Sequence, residues 1–300
     1  MRFKLAFLLW VIMLVILTGR GLSDYPAWPV AKEKAEPRLY QGRVSYGEPL
    51  AWEEVNRLFP KYTTALLTDL ETGKQFEVER RGGTFHADIQ PVTTADTMVL
   101  KEIYGGEWSW QRRAVIAQIG LSRLAASING MPHGSGKISN NFPGHFCIHF
   151  LGCRVHLSGK VDPAHQMMVW KAAGCPEKLF VEAEPPELIN LVLTALNQED
   201  VALAALGLDC PAGEDLWLAT EALQGKLPVI TLKKLRELIP EDEGEQRQEE
   251  EAEYAVTVTL RYPHEKGERE KKGAITVIKK HGDRWLMVGT GLKELLELDN

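Results

Sequence analysis

Three hundred residues, 44% hydrophobic and 25% charged, give an ordinary globular composition with apolar side chains enough for about two domains. The net charge of −6 is local: residues 241–253 carry eight carboxylates against one arginine, a net of −7, which leaves about +1 for the rest. No basic field exists to recruit nucleic acid, so that class of partner is excluded.

At the N-terminus Arg2 and Lys4 precede an unbroken apolar run over residues 5–17. Thirteen helical residues reach only about 20 Å, short of a ~30 Å hydrocarbon core, a length that suits a secretory signal. Residues 1–23 are expected to be a signal peptide or an N-terminal membrane anchor, which places the remainder outside the cytoplasm, in the cell envelope. There the four cysteines Cys147, Cys153, Cys175 and Cys210 can pair in three ways, and sequence does not choose among them. A bond between Cys153 and Cys175 is one expectation, with Cys147 left reduced. No CxxC pair is present, so a structural zinc site of thiolates is not indicated.

Residues 24–60 are rich in proline and charge and read as a linker or spacer, with a short helix over 52–59 stopped by Pro60. Runs at 63–68 and 75–80 are strand-like, and DLETGK between them supplies the Asp and Gly of a hairpin turn. Thr93 or Thr94 caps a helix reaching Tyr104, which Gly105 and Gly106 end. Trp108 and Trp110 read as core or rim. Strands at 114–119 and 124–128 follow, then a helix over 163–173.

A second unit begins near residue 185. Residues 186–206 form an amphipathic helix with a kink or break at 197–200, and 232–239 read as another short helix. Alternation over 256–262 predicts a half-buried strand, and 273–279 with 284–288 predict a hairpin around KHGD; the chain is expected to end in strands. The fold class is α+β: a β-rich domain over 61–180, then a smaller domain over 185–300 with helices first and an antiparallel sheet after.

Residues 130–165 concentrate the chemistry, with five of the eight histidines and two of the four cysteines. In GHFCIHF, the strand period of two puts His145, Cys147 and His149 on one face. A thiol needs a base or a positive neighbour to become a nucleophile near neutral pH, and histidine supplies either. His133, in the PHG turn upstream, is a further base candidate, and backbone N–H groups around 144–147 are candidate oxyanion donors.

NGMPHG followed by GHFCIHF resembles the L,D-transpeptidase catalytic signature: an upstream His-Gly, then Ser/Thr-His-Gly-Cys and a basic residue. The resemblance spans about residues 62–175. It implies His133 as the catalytic histidine, Cys147 as the acylated nucleophile and His145 as the motif histidine. It also implies substrate contacts at Gly134, at Gly144 (in place of Ser/Thr), at Phe146 (in place of glycine) and at His149 (in place of arginine). The implied activity is acyl transfer on peptidoglycan stem peptides without a cofactor. A non-catalytic envelope-binding protein on the same fold is the first alternative. HLSGKVDPAH resembles the His…Asp half of zinc D,D-carboxypeptidases, which implies a second alternative, a zinc-dependent peptidoglycan carboxypeptidase with His156, Asp162 and His165 as ligands. LNQEDVALAAL and the final DRWLMVG resemble nuclear-transport-factor-2-like domains.

Overall fold

The computed structural model describes residues 46–155, 159–209, 227–239, 250–263, 265–280 and 284–297. The N-terminal apolar run, Cys210, His156 and most of the acidic run lie outside the described residues. Among the described residues no helix is long and apolar enough to cross a membrane.

Both helices and strands are present, in a sheet-rich α+β arrangement. Helix α1 (Trp52–Leu58) leads into β1 (Thr64–Asp69) and β2 (Gln75–Gly82), the expected hairpin. Its turn closes around Asp69, whose Oδ1 accepts from the Thr72 N–H and hydroxyl. β3 (Ala87–Pro91) follows, then α2 (Thr94–Ile103). The Thr93 side chain accepts from the Asp96 N–H, and Asp96 accepts in return from the Thr93 N–H, a reciprocal cap of the kind the sequence announces. β4 (Arg112–Ile119), β5 (Ser122–Asn129) and β6 (Phe146–His149) complete a closed barrel in the order β1-β2-β3-β6-β5-β4.

Alternation along each strand fills the barrel with one set of side chains: Leu67, Phe76, Val78, Ile89, Val115, Leu124, Ile128, Phe146 and Ile148 share a single core. Trp52, Val55 and Phe59 of the presumed spacer belong to the same core. The segment before β1 is therefore structural: Gly47 lies so close to the Ala125 backbone that a side chain there would collide. Arg80 is buried against α1, donating to the carbonyls of Phe59, Gly82 and Gly83 and to Asn56 Oδ1.

The outer faces of β4 and β5 are covered too. Ala114, Ile116 and Ala125 belong to a second core with Met167, Met168, Val169 and Ala172 of α3 (Pro163–Ala172). Burial on both faces explains why β4 and β5 read as continuous apolar runs rather than alternating ones. That core continues through α4 (Lys178–Val181), α5 (Pro185–Asn197) and α6 (Val201–Ala205) to a five-stranded sheet. Its order is β7-β11-β10-β9-β8, from β7 (Leu208–Asp209), β8 (Val229–Leu238), β9 (Glu251–Arg261), β10 (Arg269–Lys280) and β11 (Arg284–Val288). Residues on both sides of the expected boundary near 181–184 thus share one core, within one compact unit, Ser45–Asn300.

Two expectations fail here for physical reasons. Residues 232–239 are not a helix; they lie in β8, paired with β9 from Val229↔Arg261 to Leu238↔Glu253. A bulge between Leu232 and Lys234 inserts one residue, so inward positions fall three apart at Leu232 and Leu235 and imitate a helical period. Nor does the chain end in strands. α7 (Gly289–Leu296) follows β11 and buries Leu292, Leu295 and Leu296.

Candidate active site

β6 carries the two faces of the problem. Phe146 and Ile148 point into the barrel, where Phe146 packs on Phe76 and Phe142. The expected substrate contact at Phe146 is therefore corrected: its ring lies in the core, on the face opposite Cys147 and His149. The flanking glycines explain how the histidine turn reaches this strand. His133 and His145 exchange backbone hydrogen bonds, each N–H donating to the other's carbonyl at 2.9 Å. Gly144, at φ +133°, lies where an added Cβ would stand 2.5 Å from the His133 carbonyl oxygen, and Gly134, at φ +59°, packs against the His145 ring. Glycine where the resembled signature has Ser or Thr is thus a requirement of this backbone.

The result is a thiol–imidazole pair. His133 Nε2 stands 3.2 Å from Cys147 Sγ, and His133 Nδ1 is 2.9 Å from the Met131 carbonyl oxygen. With Nδ1–H donating to that carbonyl, Nε2 is left as the acceptor facing the sulfur. The exposed Trp110 ring lies over His133, centroids 5.4 Å apart, whereas Trp108 packs edge-on against Phe142. Cys147 is 5% exposed, and burial, reinforced by the carboxylate of Asp88, pushes its thiol well above the usual range. The resting thiol is neutral and has an imidazole nitrogen within reach, an arrangement suited to attack with simultaneous proton transfer.

Asp88 of β3 is the direct cross-strand partner of Cys147 in β6. Its Oδ1 stands 3.4 Å from His86 Nε2 and 3.9 Å from His145 Nε2. Behind the sulfur the rings of His86, His149 and His165 form a stack, with centroid separations of 4.6 and 3.7 Å. Burial first, then the neighbouring His165 and His86, drive the ionisation of His149 well below the usual histidine range; burial does the same to His165. His149 therefore sits as a buried neutral ring beside the thiol and not as an exposed cation in place of arginine. Gln90 Oε1 accepts from the N–H groups of Lys137 and, more weakly, Ile138, which pins the loop between the histidine turn and β6.

The candidate oxyanion donors are partly committed. The Gly144 N–H donates to the Phe142 carbonyl and the His145 N–H to His133. Of the alternative zinc set, His156 lies outside the described residues, and the other two residues have partners of their own. Asp162 caps α3 through the Ala164 N–H and pairs with Arg112 at 2.6 Å, while His165 Nδ1 lies 2.8 Å from Ser127 Oγ. The three described cysteines are all free, so the expected Cys153–Cys175 bond is not formed. His86, Asp88 and Gln90 escaped the sequence reading: they sit alone in a segment read without a strand, and only the β3–β6 register brings them to Cys147.

The site defines a class: an α+β protein with a buried thiol and an oriented imidazole on one barrel face. No protein-family model matches the chain, and no curated protein matches it.

Proposed function

We propose that the protein is a cell-envelope cysteine acyltransferase acting on peptidoglycan stem peptides, in the manner of L,D-transpeptidases. The observation that carries this is the 3.2 Å approach of His133 Nε2 to Cys147 Sγ with His133 oriented by Met131. On this reading the barrel half corresponds to an L,D-transpeptidase-like domain and the helix–sheet half to a nuclear-transport-factor-2-like one. The N-terminal apolar run supports placement in the envelope.

The chemistry follows from the pair. Cys147 sulfur forms a bond to a stem-peptide carbonyl carbon while its proton moves to His133 Nε2. The tetrahedral adduct collapses by breaking the C–N bond, and the departing amine takes the proton from His133. The acyl group is then held as a thioester. An acceptor amine, deprotonated by His133, attacks that thioester and releases the thiol. Trp110 walls the approach to His133 and Gln90 fixes the loop beside it.

A carbapenem, whose strained carbonyl acylates a thiol without an acceptor, tests the proposal on the full chain. Intact-mass and peptide analysis should find one adduct, on Cys147, with formation slowed at least about a hundredfold in His133→Ala. A Cys147 that alkylates with iodoacetamide yet takes no carbapenem would refute acyl transfer and leave the envelope-binding alternative on the same fold.

A further inference from the structure

The Cys147 sulfur has a second set of neighbours that acyl transfer does not use. One ligand atom each from His86, Cys147 and His149 lie within 4.8 Å of one another, and all three residues are buried. Two imidazoles and one thiolate suit a borderline-soft, tetrahedral cation, with bonds of about 2.0–2.3 Å.

Three further observations point to a ligand there. His86 Nδ1 stands 2.7 Å from the Arg154 carbonyl oxygen, so its N–H donates there and Nε2 presents a lone pair, the usual way in which a metal-binding imidazole is oriented. His149 is 2% exposed, and its Nδ1 has no hydrogen-bond partner although its ring is held between His86 and His165. Finally, Asp88 Oδ1, 3.4 Å from His86 Nε2, borders the set with a carboxylate. A divalent ion, one thiolate and one carboxylate sum to zero charge, the condition a buried site favours.

We propose that His86, Cys147 and His149 form a binding site for a thiophilic divalent cation of the zinc class, bordered by Asp88, and that its occupancy caps the nucleophile. Binding forms an S–metal bond and displaces the Cys147 thiol proton to His133 or to water, with no change of oxidation state. The capping consequence rests on the acyltransferase reading; the site itself does not.

The reduced full chain, stripped with chelator, is titrated with cobalt(II) and, in competition with a chromophoric chelator, with zinc(II). One equivalent should bind, cobalt should show thiolate-to-metal charge-transfer absorption, and zinc should shield Cys147 from iodoacetamide until chelator is added. Cys147→Ser, a near-isosteric change, should abolish the absorption, and His149→Gln should weaken zinc binding at least about tenfold. His133→Ala should leave binding intact, which separates this site from the proton-transfer pair. Wild-type protein that binds less than one equivalent, or whose Cys147 stays open to iodoacetamide in zinc, overturns the proposal whatever the variants do. Stoichiometric zinc on a protein that takes no carbapenem when metal-free upholds the site and refutes acyl transfer.

Discussion

Gly144→Ala tests whether the approach of the histidine turn to β6 is set by backbone geometry. The residue sits at φ +133°, a region that L side chains rarely occupy and that costs on the order of 1–3 kcal/mol. The new Cβ would also stand 2.5 Å from the His133 carbonyl oxygen and 3.1 Å from its carbon. Neither is a flexible side-chain end, so one of the two backbone segments must back away by roughly half an ångström or more to reach ordinary contact. That movement acts on the residue whose Nε2 stands 3.2 Å from Cys147 Sγ. Loss of about 2 kcal/mol should lower the urea midpoint by roughly 1 M, taking a slope near 2 kcal/mol/M. Acylation of Cys147 by a carbapenem should slow at least tenfold, since a base out of reach forfeits most of its contribution. Gly134→Ala is the control: at φ +59° its Cβ meets only the His145 ring, which can turn aside, so the cost should stay near 1 kcal/mol. Wild-type stability and acylation in Gly144→Ala, or equal losses in both variants, would refute the reasoning.

Two other outcomes follow from the same geometry. Asp69→Ala strips a fully buried carboxylate from Arg113, which it meets at 2.7 Å; because Arg113 keeps Glu71 at 2.9 Å, the loss measured by urea unfolding should sit near the low end for buried pairs, about 3 kcal/mol. Burial pushes the Cys153 thiol from 9.0 up to about 12, so between those values the folded chain holds a proton that the unfolded chain has lost; stability should be full below pH 9 and fall as pH rises through that window. Cys153→Ala should make the alkaline decline shallower by up to about 1.4 kcal/mol per pH unit, and an unchanged slope would contradict the assigned burial effect.

Much of the fold was legible because local signals agreed with it. The turn at Asp69, the Thr93 cap and the two apolar runs of β4 and β5 each carried their own instruction. At the site, His133 and Cys147 were legible as a pair of residue types, and the structure places them in contact. What was illegible depends on register or on insertion. Asp88 meets Cys147 only through β3–β6 pairing, which nothing in HADIQPV announces. At Phe146 the resembled signature implies a substrate contact, but the strand period turns this ring into the barrel core. The β8 bulge turned a strand into a helical period, and α7 was hidden behind a hairpin signal.

The shared wall at β4 and β5 bears on how this chain can be divided. Ala114, Ile116 and Ala125 face α3 and the core beneath the C-terminal sheet, and Met167 and Met168 lie between. Cutting the gene after the barrel would leave these side chains facing water, an apolar scar that invites self-association. The barrel half is thus not a portable module, and the helix–sheet half serves as its permanent lining, which is reason enough to retain it whether or not it binds anything of its own.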